Sequence, residues 1–309
     1  MNDDDRSSES LTLADSFREA TRQHLDRLVE GEKKIRAEGD LEGVHLMRTS
    51  CRRLRATLMY LGDHLHRGER KLLQRRLREL MSELSPVRDL DVLRAAIDHS
   101  ADGTGHEGLD EVIEERLANA SMRMEDALDG AEYEELRRGL ERAVREVATG
   151  EPVRLKGPAR IMEALAGVLG QKPADWSSAP EESLHDLRKA VKKLRYALEA
   201  FAPAYGRPVA RQIERCRDFQ EALGSLQDAA VFSAQLDGIR TFAAGQFIAT
   251  VRSRAAVQKE EMPRLWNKTF GPKGMSRLGA HLLRRSVKSG KPVATVEGGE
   301  PSRQVASAP

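Results

Sequence analysis

Two stretches of this chain, VHLMRTSCRRLRATL from Val44 and LHDLRKAVKKLRYAL from Leu184, share residue types in a gapless register. His45 matches His185, Arg48 matches Arg188, Arg52 matches Lys192, Arg53 matches Lys193, Leu54 matches Leu194 and Arg55 matches Arg195. A second pair of blocks follows, LSPVRDLDV from Leu84 and LGSLQDAAV from Leu223, one residue out of that register. It aligns Leu84 with Leu223, Asp89 with Asp228 and Val92 with Val231. A repeat of this length describes two related halves meeting near residues 150–157, not a solenoid of short units.

Each copy is helical by period. At about 100° per residue, His45, Arg48, Arg52 and Arg55 share a stripe roughly 80° wide. Val44, Met47, Cys51, Leu54, Leu58 and Leu61 form an apolar stripe beside it. In the second copy His185, Arg188, Lys192 and Arg195 border Leu184, Leu187, Val191, Leu194, Leu198 and Phe201. A solvated charged face normally lies opposite the core stripe. A basic stripe adjoining the core stripe belongs at the edge of a helix–helix groove. Its like charges repel at i+3 and i+4, costing a few tenths of a kcal/mol per pair. One basic helix is ordinarily a solvated face. Repetition of the whole histidine-plus-three-cation stripe points instead to two rows converging on one polyanion. The histidines lack neighbouring cysteine or acidic partners and make no metal site.

The pattern HxxRxxxRRLR from His45, followed by Arg88-Asp89-Leu90-Asp91-Val92, resembles the CHAD family, the conserved histidine α-helical domain. HDLRKAVKKLRY and LGSLQD repeat it, and AEYEELRRGL from Ala131 and GQFIATVRSRA…LWNKTF are also similar to that family. The resemblance spans about residues 11–285. It implies an all-α fold of two pseudo-symmetric antiparallel helical bundles, arising from an internal duplication, with a basic central groove that binds inorganic polyphosphate. The residues it assigns to binding are His45, Arg48, Arg52, Arg55, His185, Arg188, Lys192 and Arg195, with Arg53 and Lys193 as secondary candidates. No cofactor and no metal are implied. Thr49 and Ser50 stand where the family favours aliphatics, and Gln227 replaces the basic residue expected opposite Arg88.

The remaining composition fits. The chain has 309 residues, 39% hydrophobic and 32% charged, as long amphipathic helices require. Aromatics are 4%, too few for a β-rich fold or a base-stacking surface. The formal net charge is only +2, so anion binding must come from how charge is arranged. No run reaches the length of a membrane span, and MNDDDRSSES has no signal-peptide character. A cytoplasmic location is expected, with polyphosphate granules as the place such a ligand would put it. Cys51 and Cys216 read as buried thiols.

The expected organisation is a disordered N-terminus (1–10), a helical domain with halves 11–150 and 155–285, and a disordered tail (286–309). Expected helices are 11–37, 41–63, 67–84, 89–100, 108–129, 131–148, 157–170, 180–203, 207–223, 227–243 and 245–270. Gly39-Asp40, Ser85-Pro86, Gly103–Gly105, Gly150–Pro152, Lys172-Pro173 and Gly206–Pro208 mark breaks. Ser178 and Glu181 resemble a capping box, and Asp89 and Asp228 read as helix N-caps. Glu30-Gly31-Glu32-Lys33-Lys34 matches the ExExK pattern of triphosphate-tunnel domains, but falls on a helix and is set aside. The scattered cations of 67–84 read as mostly solvated.

The expected function is non-enzymatic polyphosphate binding. The stripes hold no carboxylate cluster for metal-assisted phosphoryl transfer. Phosphate attraction alone leaves nucleic acid, an acidic partner protein, or polyphosphate processing as alternatives. The oligomeric state is not legible.

Overall fold

The structure, a computed structural model, describes residues 12–100, 109–147, 153–236 and 242–287. The expected disordered N-terminus, residues 288–309 of the expected tail, and the breaks at Gly103–Gly105 and Gly150–Pro152 lie outside the described residues, whereas 286–287, expected in the tail, are the end of a helix. The chain is helical in order: α1 (Leu13–Glu38), α2 (Leu41–Tyr60), a 3-10 turn (Gly62–His64), α3 (Arg67–Ser100), α4 (Leu109–Asp129) and α5 (Ala131–Glu146). There follow α6 (Val153–Leu169), α7 (Glu181–Tyr205), α8 (Arg207–Gln235), α9 (Phe242–Phe270) and α10 (Pro272–Val287).

The α1–α2 hairpin shows how local chemistry sets the layout. Thr12 caps α1 by accepting from the Asp15 N–H at 3.1 Å. Gly39 ends it with φ 61, a left-handed conformation that a side chain resists. Asp40 then caps α2, its carboxylate accepting from the Glu42 N–H at 2.8 Å. The two helices cross at Gly31 and Gly43. A Cβ on Gly31 would meet Met47 Cγ at 2.6 Å and the Gly43 carbonyl oxygen at 2.7 Å. The neighbouring Glu32 is a buried carboxylate that accepts from Tyr133 at 2.8 Å and Arg36 at 3.0 Å. The ExExK-like run is therefore a helix crossing tied to α5.

Two expected breaks are absent. Residues 67–84 and 89–100 form one helix through Pro86, because Leu84, Val87, Leu90 and Leu93 keep one buried stripe across it. Proline removes one helical hydrogen bond, and burial of that stripe outweighs the loss. Likewise 207–223 and 227–235 belong to one helix, α8, through Gly224. Asp89 and Asp228 are thus interior to long helices and cap nothing. Nor is there a capping box at α7. Pro180 occupies the N-cap without a side-chain bond, and Ser178 instead donates to Asp175 at 2.7 Å. Residues 272–287, left without a helix in the sequence reading, form α10, whose Leu278 and Leu282 are buried.

The main core runs through both stretches of the chain, and α2 packs on α7 across it. Tyr60 of α2 meets Phe201 of α7 edge-on at 6.4 Å and donates its hydroxyl to the Lys193 carbonyl at 2.9 Å. Cys51 and Cys216 are free and fully buried, and burial pushes both thiols up to about 12. A separate small cluster joins Leu93 and Ile97 of α3 to Ile113 of α4, Phe232 of α8 and Phe247 of α9. There Arg116 also donates to the Gln235 carbonyl. The first five and last five helices therefore meet at the α2–α7 seam, at this distal cluster, and where Arg160 of α6 donates to the Met59 carbonyl at 3.0 Å.

Gly31→Ala is expected to lose about 1–2 kcal/mol of stability, since overpacking outweighs the better helix propensity of alanine. A lower urea midpoint with an unchanged slope is the expected result. An unchanged midpoint would refute the close crossing.

Candidate functional site at the α2–α7 seam

The apolar stripes fix how α2 and α7 are rolled. Met47, Cys51 and Leu54 of α2 and Leu187, Val191 and Leu194 of α7 are fully buried. The basic stripes next to them are held half-buried at the seam. Lys192 lies within the fields of Arg188, Arg52, Arg195 and Arg48. Arg52 in turn feels Arg48, Arg195 and Arg188. Two cations from α2 and three from α7 thus form one mutually repelling cluster.

Desolvation is the larger cost. Burial, then the surrounding guanidiniums, pull Lys192 down to about 8. Burial also lowers Arg52, with the same neighbours adding to it. The Nε atoms of Arg52 and Arg195 are buried and have no hydrogen-bond partner. Removing cations from water without pairing them is unfavourable, and a folded chain keeps such groups only where other burial outweighs them.

Other side chains aim the cations. Arg48 donates to Asp89 at 2.8 Å and to the Ser85 carbonyl at 3.4 Å, on the turn of α3 that contains Pro86. Arg188 donates to Gln227 at 2.7 Å. Gly224 gives Arg188 room, since a Cβ there would lie 3.4 Å from its Nη2. Arg52 donates to the Thr49 hydroxyl at 3.2 Å, which gives that polar departure from the family pattern a role. Arg195 lies over the Tyr196 ring at 4.9 Å and donates to Glu199 at 3.2 Å.

His45 is half-buried and its pKa is lowered, first by burial and then by Arg88, with Arg52 and Arg48 acting the same way. His185 is half-buried, with a buried Nδ1 that has no partner. Arg55 stands nearer Arg78 of α3, whose charge adds to burial in lowering its pKa. Arg53 pairs across the seam with Glu199 of α7 at 2.7 Å, the carboxylate that also accepts from Arg195. Lys193 is exposed and lines a separate cleft with Tyr60, Arg160 and Glu163. Five of the primary candidates therefore form the seam cluster, His45 and Arg55 adjoin the α3 cations Arg88 and Arg78, Arg53 borders the cluster through Glu199, and Lys193 stands outside it.

Sequence reasoning passed over Arg78 and Arg88. Arg78 belongs to a helix whose cations spread all round it, and Arg88 has no basic counterpart in the second half. Asp228 was read as a cap. It is half-buried, and its carboxyl is raised by burial and by Asp89, against the opposing pull of Arg188. No group of three metal-binding side chains occurs among the described residues.

This is a helical fold built round two facing basic helices. The CHAD domain family matches residues 19–237, and the chain belongs to that family. Two solved structures share the fold. The crystal structure of the CHAD domain from the plant Ricinus communis is 21% identical, with a TM-score of 0.62, covering 87% of this chain and 92% of that one. PptA from Streptomyces chartreusis is 16% identical, with a TM-score of 0.65, covering 83% of this chain and 100% of that one. No curated protein matches in sequence. No helix among the described residues is long and apolar enough to cross a membrane.

The lowered pKa of Lys192 makes stability depend on pH. Its folded value is about 8 against 10.5 for an ordinary lysine, so between these the unfolded chain binds more protons. Stability should therefore rise as pH increases from about 8 to about 10.5, by on the order of 3 kcal/mol at most. Lys192→Met should be more stable than wild type at pH 7, and that advantage should shrink over the same window. Urea titrations at several pH values check this. A variant less stable than wild type at pH 7 contradicts the account.

Proposed function

We propose that this chain is a non-catalytic binding module for inorganic polyphosphate, with the α2–α7 seam as its site. One observation carries the reading: Lys192 and Arg52 are half-buried among cations from both helices with no carboxylate of their own. A polyanion would supply the missing counter-charge. Each internal phosphate carries about one negative charge, so a linear chain can satisfy two facing rows. Arg48, Arg52, Arg188 and Arg195 offer forked donors to phosphate oxygens, and Lys192 a point charge. His45 and His185 would donate from ring nitrogens at the edge of the cluster. Arg55 with Arg78 would extend the α2 row. The family resemblance implies the same ligand. A cytoplasmic place at polyphosphate granules belongs to this proposal.

Low aromatic content weighs against single-stranded nucleic acid, which is bound largely by stacking. The absence of catalysis belongs to the proposal too. Asp89 is engaged by Arg48, and Asp89 and Asp228 have no third carboxylate, histidine or cysteine grouped with them among the described residues.

Titration with long-chain polyphosphate should show binding that weakens steeply with salt, because each neutralised charge releases a counterion. Arg48→Glu and Arg188→Glu should each weaken the same high-affinity event by at least about tenfold. Reversal of Arg138 and Arg145, exposed on α5, is the control for net charge. Loss of half the high-affinity sites in Arg48→Glu, with the rest unchanged, would mean two separate surfaces. Equal loss in the control would mean diffuse electrostatics. Preferential binding of DNA would favour nucleic acid, and shortening or lengthening of the polymer with Mg²⁺ would reveal an enzyme.

A further inference from the structure

A second basic feature lies away from the seam. A cleft of about 830 Å³ is walled by the first turns of α8, the end of α9 and the whole of α10. Arg211, Arg215, Lys273, Arg277 and Arg284 line it, and none has a carboxylate partner among the described residues. Lys268, also at its edge, is offset by Asp218 at 3.3 Å. No acidic side chain lines the cleft.

Many cations elsewhere among the described residues are paired, within a helix as Arg138 is with Glu134 or across a helix contact as Arg53 is with Glu199. Glu214 and Asp218, the nearest acids on α8, are turned to Arg217 and Lys268. The cleft floor is fixed by structural bonds instead. Gln212 is buried and donates to the Thr269 carbonyl at 2.9 Å, and His281 Nε2 is bonded to the Tyr205 carbonyl at 2.8 Å. Arg215 adds an unusual juxtaposition. A Cβ on Gly274 would lie 3.7 Å from its Nη1, so its guanidinium rests on the first turn of α10. That turn carries Lys273 and no acid. Helix starts favour negative charge, and here three positive contributions meet without any.

We propose that this cleft is a second, weaker binding site for a linear condensed phosphate. It rests on the reading of the seam for the chemistry of the ligand, and on nothing else from it. Concavity disfavours a flat lipid surface. No aromatic ring other than His281 lines the cleft, which removes a stacking platform for a nucleobase. What remains is a row of donors suited to several linked phosphates. The site is distinct from the seam. Arg215 and Gly224, where Arg188 rests, lie on opposite faces of α8, at about 100° per residue, and roughly 13 Å apart along it. Short chains would therefore occupy the two sites separately. A long chain would engage both only by passing round α8 or by linking two molecules. All of α9 and α10 fall beyond residues 19–237, which match the family.

Calorimetric titration with tripolyphosphate, on the full chain, tests this. Wild type should show two binding classes. Lys273→Glu with Arg277→Glu, both exposed and unpaired, should lose the weaker class and keep the stronger. Arg188→Glu should do the reverse, leaving the weaker class within about twofold of wild type. Arg211→Ser with Arg284→Ser, which removes charge without reversing it, should weaken the same class if the first pair disturbs folding. Circular dichroism monitors the fold. Loss of the weaker class in the Arg138→Glu, Arg145→Glu control, or equal binding of orthophosphate, overturns the cleft. So does a cleft variant that titrates as wild type. If Arg188→Glu changes nothing while the cleft variant abolishes binding, the seam reading falls and the cleft stands.

Discussion

The arrangement depends on five cations held out of water where α2 and α7 meet. Their mutual repulsion and lost hydration work against folding. The adjoining apolar stripes work for it, and they decide the outcome. Each fully buried leucine or valine contributes on the order of 2 kcal/mol. Leu54, Leu58, Leu187, Val191, Leu194, Leu198 and Phe201 are all fully buried or nearly so. The charged rows are thus carried to the seam by their neighbours on the same helices. This is why a basic stripe must adjoin the apolar stripe and cannot lie opposite it.

The long helices α3 and α8 complete that arrangement. Each passes beside one basic helix and offers it a partner, Asp89 to Arg48 and Gln227 to Arg188. The charged pair and the neutral pair differ in consequence. Arg48 is aimed by an ion pair, whereas Arg188 is aimed by a neutral amide. The far ends of the same helices meet in the cluster around Leu93 and Phe232. The two sets of helices are therefore tethered on either side of the charged region, which limits how far repulsion can spread them.

Much of this was legible before any coordinates. The stripes place His45, Arg48, Arg52, Arg55 and their counterparts beside the apolar residues that the fold buries, because period and apolar pattern are properties of single helices. The misreadings share one cause. Ser85-Pro86 reads as punctuation and a gap is expected between 223 and 227, yet tertiary burial carries both helices through. Once those helices are continuous, Asp89 and Asp228 cannot be caps. Arg53 and Lys193 match in the repeat, but a two-residue step along a helix does not stay on one face. Their partners, Glu199 and a separate cleft, lie on other elements. The carboxylate-free cleft at α10 was invisible for the same reason, since its cations come from three segments and make no local pattern.

Holding cations on helix faces also bears on what they select. A flexible basic tail must order its side chains and backbone on each encounter, and that entropy is lost from the affinity. Here α2 and α7 have ordered the backbone already, and Asp89, Gln227, Thr49 and Glu199 have ordered much of the arginine geometry. A single phosphate can engage only one part of such a row. The neighbouring cations then remain buried and uncompensated. A chain long enough to cross the seam relieves all of them at once. Under the proposed function, preference for a polymer over its monomer would need no pocket shaped to a chain end. It would follow from placing several unpaired cations, from two helices, within one another's field.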